Sequence, residues 1–339
     1  MPGKTPTALG YRMPAEWHRH AATWLSWPRA DGISFPDRYD EVQPTLGGMV
    51  RALAPHERVN INCRNDEIEA IARKTVGKVR NVFYHRIPSY EPWCRDHGPI
   101  FVKRGRKLAV VDWGYNAWGG KYPSFDDDDA VPQRVAELLG LPLFHPGIIL
   151  EGGSIDVNGA GLLLTTEACL LNRNRNPKLT KRQIENCLKS HLGVTKVLWL
   201  GDGIVGDDTD GHVDDLTRFV SATTVITVVE DDPKDENYAP LQENLKRLRA
   251  MKDLQRIVEL PMPGFVEYNG QRLPASYANF YIANDVVLLP TYRHKQNDRR
   301  AQEILQALFL DRRVVPMDST NLVWGLGSFH CLTQQQPAV

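Results

Sequence analysis

Short apolar runs that alternate with polar residues come in pairs separated by a turn, and the pattern recurs four times, over residues 100–111, 154–165, 218–229 and 279–290. A period of two places every second side chain on one face, so each copy predicts an antiparallel hairpin. After each hairpin, apolar positions three and four apart predict an amphipathic helix and then a short apolar strand. The clearest case starts at Thr180, which pairs with Gln183 as a capping box; Ile184, Leu188 and Leu192 form the stripe, and 197–200 is the strand. The other helices fall at 129–140, 241–251 and 298–310, with strands such as 257–260 and 314–317 behind them. Each unit therefore reads strand, strand, helix, strand, with starts about sixty residues apart.

The run at 22–27, followed by helical segments and 59–62, reads as a fifth unit that lacks its outer strand. Residues 328–333 are expected to supply it. An open row of sheets would leave unpaired edges at both ends, whereas pairing the two end segments closes a ring. The expectation is an α/β fold of five ββαβ repeats around a pseudo-fivefold axis, one domain over 1–339.

Composition narrows the partner. Lys plus Arg and Asp plus Glu are equal at 41 each, which leaves no electrostatic footprint for nucleic acid or an anionic membrane and favours a small molecule. Residues 1–10 have no apolar core and no long apolar run follows, so a cytoplasmic chain is expected. Cysteines 63, 94, 169, 187 and 331 show no C-x-x-C pairing or zinc-ligand spacing, so free thiols and no metal or cofactor are expected. Cys187 reads as a buried core residue, whereas Cys331 sits in a glycine-rich loop. The oligomeric state is left open, a homo-oligomer included.

Polar residues recur just ahead of each hairpin: Trp93 and Asp96, Glu151, His212 and Asp214, Asn279, and Cys331. Each alone has an ordinary reading as a turn former or a core residue. At the same phase of every repeat they would converge on the axis. A thiol beside a histidine supplies a nucleophile and an acid–base partner. Two or three carboxylates beside them demand a cationic substrate, and a planar guanidinium matches carboxylates bidentately while favouring the thiolate. The chemistry that follows is attack of Cys331 on a guanidino carbon, loss of ammonia and hydrolysis to a ureido product. A cysteine amidase would leave Asp96, Glu151 and Asp214 without a role, and a non-catalytic guanidine or amine sensor would not need Cys331 and His212. The G-x-G-x-x-G string at 201–206 is followed by Asp207, Asp208 and Asp210 rather than a helix, which opposes a dinucleotide site.

The strings Trp-Cys-Arg-Asp-His-Gly-Pro at 93–99, Asn-Ala-Trp-Gly at 116–119, Glu-Gly-Gly-Ser at 151–154, Thr-Thr-Glu-Ala-Cys at 165–169, Asp-Thr-Asp-Gly-His-Val-Asp at 208–214 and His-Cys-Leu-Thr-Gln-Gln at 330–335 span most of the chain. Together they resemble the agmatine deiminases and bacterial Porphyromonas-type peptidylarginine deiminases of the pentein superfamily. The resemblance implies a five-bladed α/β propeller and a hydrolase of linear amidines. It implies conversion of agmatine to N-carbamoylputrescine and ammonia through a thiouronium on Cys331, as in putrescine synthesis. It implies Cys331 as nucleophile, His212 as acid–base group, Asp96 and Asp214 as guanidinium clamps, and Glu151 supporting His212 and the leaving amine. Trp93 and Asn279 would line the cleft, with Asp207 and Asp208 at its rim. Arginine or peptidylarginine are the alternative substrates; their carboxylate or peptide end would call for a cation such as Arg95 or Arg12. The acids 126–129 read as complements to a helix dipole.

Overall fold

Each predicted hairpin and its trailing strand form one small sheet. Ile100–Arg104 pairs antiparallel with Lys107–Val111, which pairs parallel with Leu143–Phe144. The same order recurs in Asp156–Val157, Leu162–Thr166 and Lys196–Leu200, in Thr217–Phe219, Thr224–Val229 and Arg256–Pro261, and in Tyr281–Ile282, Val286–Thr291 and Arg313–Asp318. The parallel step needs a crossover, supplied by the helices Val131–Leu139, Lys181–Leu192, Tyr238–Ala250 and Lys295–Leu308. In Lys181–Leu192 both bonds of the Thr180–Gln183 capping box form, the stripe Ile184, Leu188 and Leu192 is buried, and Gly193 ends the helix at φ 71°. The computed structural model describes residues 4–339; residues 1–3, the start of the stretch read as leaderless, lie outside the described residues.

The fifth sheet has the order Thr333–Pro337, His20–Ser26, Arg58–Asn62, Val82–His85. Its outer strand comes from the far end of the sequence, in antiparallel register from Leu25↔Thr333 to His20↔Pro337, so the expected closure is present. Two details differ from expectation. The closing strand starts at Thr333, because Phe329–Leu332 takes a helical turn before it. Val82–His85 adds a fourth strand that its partly exposed side chains did not announce.

Apolar side chains collect in five separate clusters rather than one centre. Charge joins the sheets instead. Buried Glu16 accepts from Arg218 Nη2 at 2.9 Å, Ile282 N at 2.9 Å, Arg95 Nη2 at 3.1 Å and His330 Nε2 at 2.8 Å. Arg218 donates in turn to Asp156 at 2.9 Å and to the carbonyl of Phe280 at 2.8 Å. Buried charges persist only when their partners are complete, and here each is surrounded. Cys63, Cys94 and Cys169 are buried, but Cys187 is only half-buried at the margin of its helix stripe, which corrects its core assignment. Residues 201–212 form no helix; a Cβ on Gly203 would meet Gly211 Cα at 2.5 Å, so loop packing accounts for that glycine. No helix among the described residues is long and apolar enough to cross a membrane.

Candidate active site

A tight turn precedes the first strand of each sheet and aims polar side chains at the axis. Asp96 lies in Cys94–His97, Glu151 directly before Gly152–Ser154, Asp214 in Val213–Asp215, and Cys331 in Phe329–Leu332. Asn279 leads into Tyr281–Ile282. After His212 the chain turns as a 3-10 helix, and His212 and Asp214 both close on Gly153 in the same site.

These groups are neighbours. His212 Nδ1 lies 3.5 Å from Asp96 Oδ1, and Cys331 Sγ lies 3.5 Å from Asp214 Oδ2. Asn279 Nδ2 donates to Cys331 Sγ at 3.0 Å and to Asp215 Oδ1 at 2.9 Å, while its oxygen accepts the backbone N–H groups of His330 and Cys331. Asn279 thus braces the turn that carries Cys331. Glu151 Oε1 accepts from buried Arg175 at 2.7 Å, and a Glu151 oxygen, the Cys169 sulfur and a His212 nitrogen lie within 4.8 Å of one another.

Glycines permit this crowding. A Cβ on Gly153 would meet His212 Nδ1 at 2.6 Å, Asp96 Oδ1 at 2.7 Å and Asp214 Oδ2 at 3.2 Å, so three functional groups close over one bare Cα. A Cβ on Gly152 would sit 2.1 Å from the Arg95 carbonyl. Gly152 and Gly153 lie in the 3-10 turn after Glu151, and close approach rather than backbone conformation requires them to be glycine.

Burial and the carboxylates set the proton inventory. Burial first, then Asp214, Asp215 and Asp96, push the Cys331 thiol well above its ordinary range, and the Asn279 bond opposes them only weakly. Burial would lower the His212 pKa, but Asp96 foremost, with Cys169 and Asp214, carries it well above the ordinary histidine value. Burial raises Asp96, with Asp214 and Glu151 adding to the rise against His212 and the Trp118 bond. Burial would also raise Asp214, yet the His330 bond and charge, with His212 and Arg218, hold it below. The resting site is therefore a neutral thiol beside an imidazolium, with Asp214 ionised. Among the described residues, the buried atoms without a hydrogen-bond partner include four at this site: both ring nitrogens of His212, Glu151 Oε2 and Asp214 Oδ1.

Of the sequence candidates, Asp96, Cys331, Trp93 and Asp208 line one pocket, together with Trp118, Tyr122 and Trp324. Trp93 Nε1 donates to Ser34 Oγ at 2.8 Å, and the Trp93 ring packs on Gly325 and Gly327, which leave no room for a Cβ. Asp208 accepts from Tyr122 and lies 3.3 Å from Lys121. Asp207 does not serve the rim: it caps a turn, accepting from Thr209, Gly211 and His212 backbone N–H groups. Arg95 is buried against Glu16 and Gln335, and Arg12 lies exposed in a bridge to Lys103, so neither faces the pocket. Acids 126–129 bond to structure: Asp128 accepts Tyr90 N at 2.6 Å and Asp129 accepts Tyr115 N at 2.6 Å.

Sequence reasoning missed several supports. Trp118, held at φ 53°, donates Nε1 to Asp96 Oδ2 at 2.9 Å; its motif was noticed but not its target. Arg175, His330 and Glu16 gave no separate signal, because their partners lie far off in sequence.

The model of the Porphyromonas-type peptidyl-arginine deiminase family matches residues 12–337. The agmatine deiminase of Ectopseudomonas mendocina is 36% identical over 367 aligned residues, covering 98% of this chain and 97% of its own. A structure of the agmatine deiminase of Enterococcus faecalis superposes with a TM-score of 0.94 at 33% identity, covering 100% of this chain and 99% of the other. A substrate-bound agmatine deiminase of C. jejuni gives 0.90 at 30%, with 96% of each chain covered. An amidinotransferase from Microseira wollei, 11% identical with a TM-score of 0.53 over 97% of each chain, shares the fold alone. Five ββαβ units closed through their ends, a family match over nearly the whole length and relatives above 30% identity agree: this chain belongs to the Porphyromonas-type peptidyl-arginine deiminase family, with the pentein fold.

Proposed function

We propose that this protein is a hydrolase of C–N bonds that converts agmatine to N-carbamoylputrescine and ammonia. The carrying observation is the set of buried acceptors without donors, Glu151 Oε2 and Asp214 Oδ1, in the cluster that also holds Asp96, His212 and the Cys331 thiol. An unpaired buried acceptor costs about 1–3 kcal/mol, and a guanidinium offers five N–H donors in one plane. Its positive charge also offsets the carboxylates that keep Cys331 protonated, so on substrate entry the thiol proton passes to solvent water and the nucleophile forms.

The steps follow from the resting protonation. The Cys331 thiolate attacks the guanidino carbon between Asp96 and Asp214. Imidazolium His212 gives its proton to the departing nitrogen, and ammonia leaves behind a thiouronium. Neutral His212 then takes a proton from water as the water attacks the same carbon; as the C–S bond breaks, the remaining hydroxyl proton passes to the sulfur, giving the ureido product, the Cys331 thiol and imidazolium His212. Glu151, braced by Arg175, receives the amine end of the leaving nitrogen.

The substrate's tail is argued from the walls. No basic residue is among those lining the described pocket, whereas the Asp208 carboxylate, 3.3 Å from Lys121, is, which suits the ammonium of agmatine better than the carboxylate of arginine. Five free cysteines suit a reducing cytoplasm. The test is incubation with agmatine, free arginine and a peptide ending in arginine, with ammonia and ureido product measured. Agmatine should be turned over without added metal or cofactor, and Cys331→Ala should abolish turnover while retaining agmatine binding. Preference for arginine would overturn the tail assignment; turnover of amides but of no guanidine would overturn the reaction.

A further inference from the structure

His330 precedes the nucleophile and does not face the pocket, yet it sits in the middle of a buried line of charge. Its Nδ1 lies 2.7 Å from Asp214 Oδ2 and its Nε2 lies 2.8 Å from Glu16 Oε2. Each ring nitrogen thus lies within hydrogen-bond distance of a carboxylate oxygen. The other contacts of Asp214 Oδ2 are long: Asn279 Nδ2 at 3.4 Å, whose closer partners are Asp215 and Cys331, and Cys331 Sγ at 3.5 Å. The one short bond to Asp214 thus comes from His330, and it leaves Oδ1 buried and without a donor.

We propose that His330, backed by Glu16, is a positioning residue that turns Asp214 so that its second oxygen meets the substrate guanidinium. The inference rests on the reading of Asp214 as a guanidinium clamp. Glu16 is suited to the backing role because Arg218, Arg95 and the Ile282 N–H fix it from three other segments. An imidazole held from behind by a carboxylate presents one ring nitrogen in a set orientation, the arrangement that orients histidines in many catalytic sites. Here its target is a second carboxylate. The groups around Asp214 are His212 and Asp215 on its own segment, Asp96 across the site, His330 and Cys331 on the closing segment, and Arg218 beyond. Removing the His330 donor takes away the short bond to Asp214 and leaves it beside Asp96, Asp215 and a thiol, with His212 and Arg218 as the remaining cations.

Two substitutions separate the ends of the ring. The amide nitrogen of asparagine occupies about the place of Nδ1, and that of glutamine about the place of Nε2. His330→Asn retains a donor to Asp214, and His330→Gln retains one to Glu16. His330→Gln should lose roughly 10- to 100-fold in kcat/KM for agmatine, chiefly through KM, with the acid limb of its pH profile moved up, whereas His330→Asn should stay within about 5-fold. The reverse order, or equal activity in both at wild-type melting temperature, overturns the proposal, since an architectural tie through Glu16 alone would favour glutamine. Should either variant fail to fold, ring 15N NMR on the Cys331→Ala protein decides: the His330 Nδ1–H signal should move when agmatine saturates the site, and a signal that stays fixed overturns the proposal. Wild-type turnover of agmatine is the control. Its absence would remove the clamp reading and this inference with it, whereas turnover with no difference between the variants would remove this inference alone.

Discussion

Adding a single methyl group at Gly153 should disable the enzyme without unfolding it. The residue does not need glycine for its backbone, because its φ is not in the left-handed region, so alanine brings no conformational strain. The cost is space. The new Cβ would stand 2.6 Å from His212 Nδ1 and 2.7 Å from Asp96 Oδ1, about 0.8 and 0.7 Å inside ordinary contact at 3.4 Å. Neither side chain can swing away freely. Asp96 is tied by Trp118 Nε1 at 2.9 Å and by the Gly153 N–H itself at 3.1 Å, and His212 is fully buried. A displacement near 1 Å at reacting groups costs on the order of 10²-fold in rate. Gly153→Ala should therefore lower kcat/KM for agmatine by about 10²-fold, read by ammonia release. Its melting temperature should fall by no more than a few degrees, the shift expected for about 1 kcal/mol in a chain this size. Gly152→Ala supplies the contrast: its Cβ would meet a backbone carbonyl at 2.1 Å, so there stability should fall first. Gly153→Ala activity within threefold of wild type would refute the claim that His212 and Asp96 are pinned over this Cα.

Two further outcomes follow from the buried acids. Because burial and then Asp214, Asp215 and Asp96 raise the Cys331 thiol well above its ordinary value, alkylation of the free enzyme by iodoacetamide should be slow at pH 7 and keep accelerating with pH beyond 9, followed by mass spectrometry at Cys331; a plateau below pH 8 would sink the neutral-thiol resting state. Burial also raises Asp128, to about 7, with Tyr90 and Glu91 N–H bonds opposing it. The folded state then binds the proton more tightly than the unfolded state, so this group's contribution falls as pH rises from about 4 to about 7, by up to about 4 kcal/mol. Asp128→Asn, which retains the accepting oxygen, should flatten that fall in urea unfolding; an unchanged slope would show that Asp128 ionises normally.

What the sequence made legible had a local origin. Alternation within ten residues revealed four hairpins, and a cap pair three residues apart revealed a helix start, since those signals need only neighbours. Phase in the repeat brought out Asp96, Glu151, His212, Asp214, Asn279 and Cys331, because a ring converts equal phase into proximity. What was hidden depends on partners far along the chain. His330 bonds residues 116 and 314 positions away, and only the folded axis reveals why a histidine stands there. Asp207 was misplaced at the rim for a related reason: its carboxylate turns back to its own loop, which identity alone does not disclose. Val82–His85 escaped because half-exposed strands lack a clean alternation.

Glu16, Arg218 and their partners on the axis bear on how the molecule comes apart. In an open stack of repeats each unit touches only its neighbours, so units can melt singly. Here one carboxylate is shared by Arg95, Arg218, Ile282 and His330, which belong to different parts of the ring. Peeling away the segment that carries Arg95 or Arg218 would break a buried ion pair at a cost of about 3–5 kcal/mol, with the rest of the ring still standing. Partial opening is thereby penalised more than its lost apolar contacts alone would demand. Modular in sequence, the ring should behave in unfolding as one cooperative body.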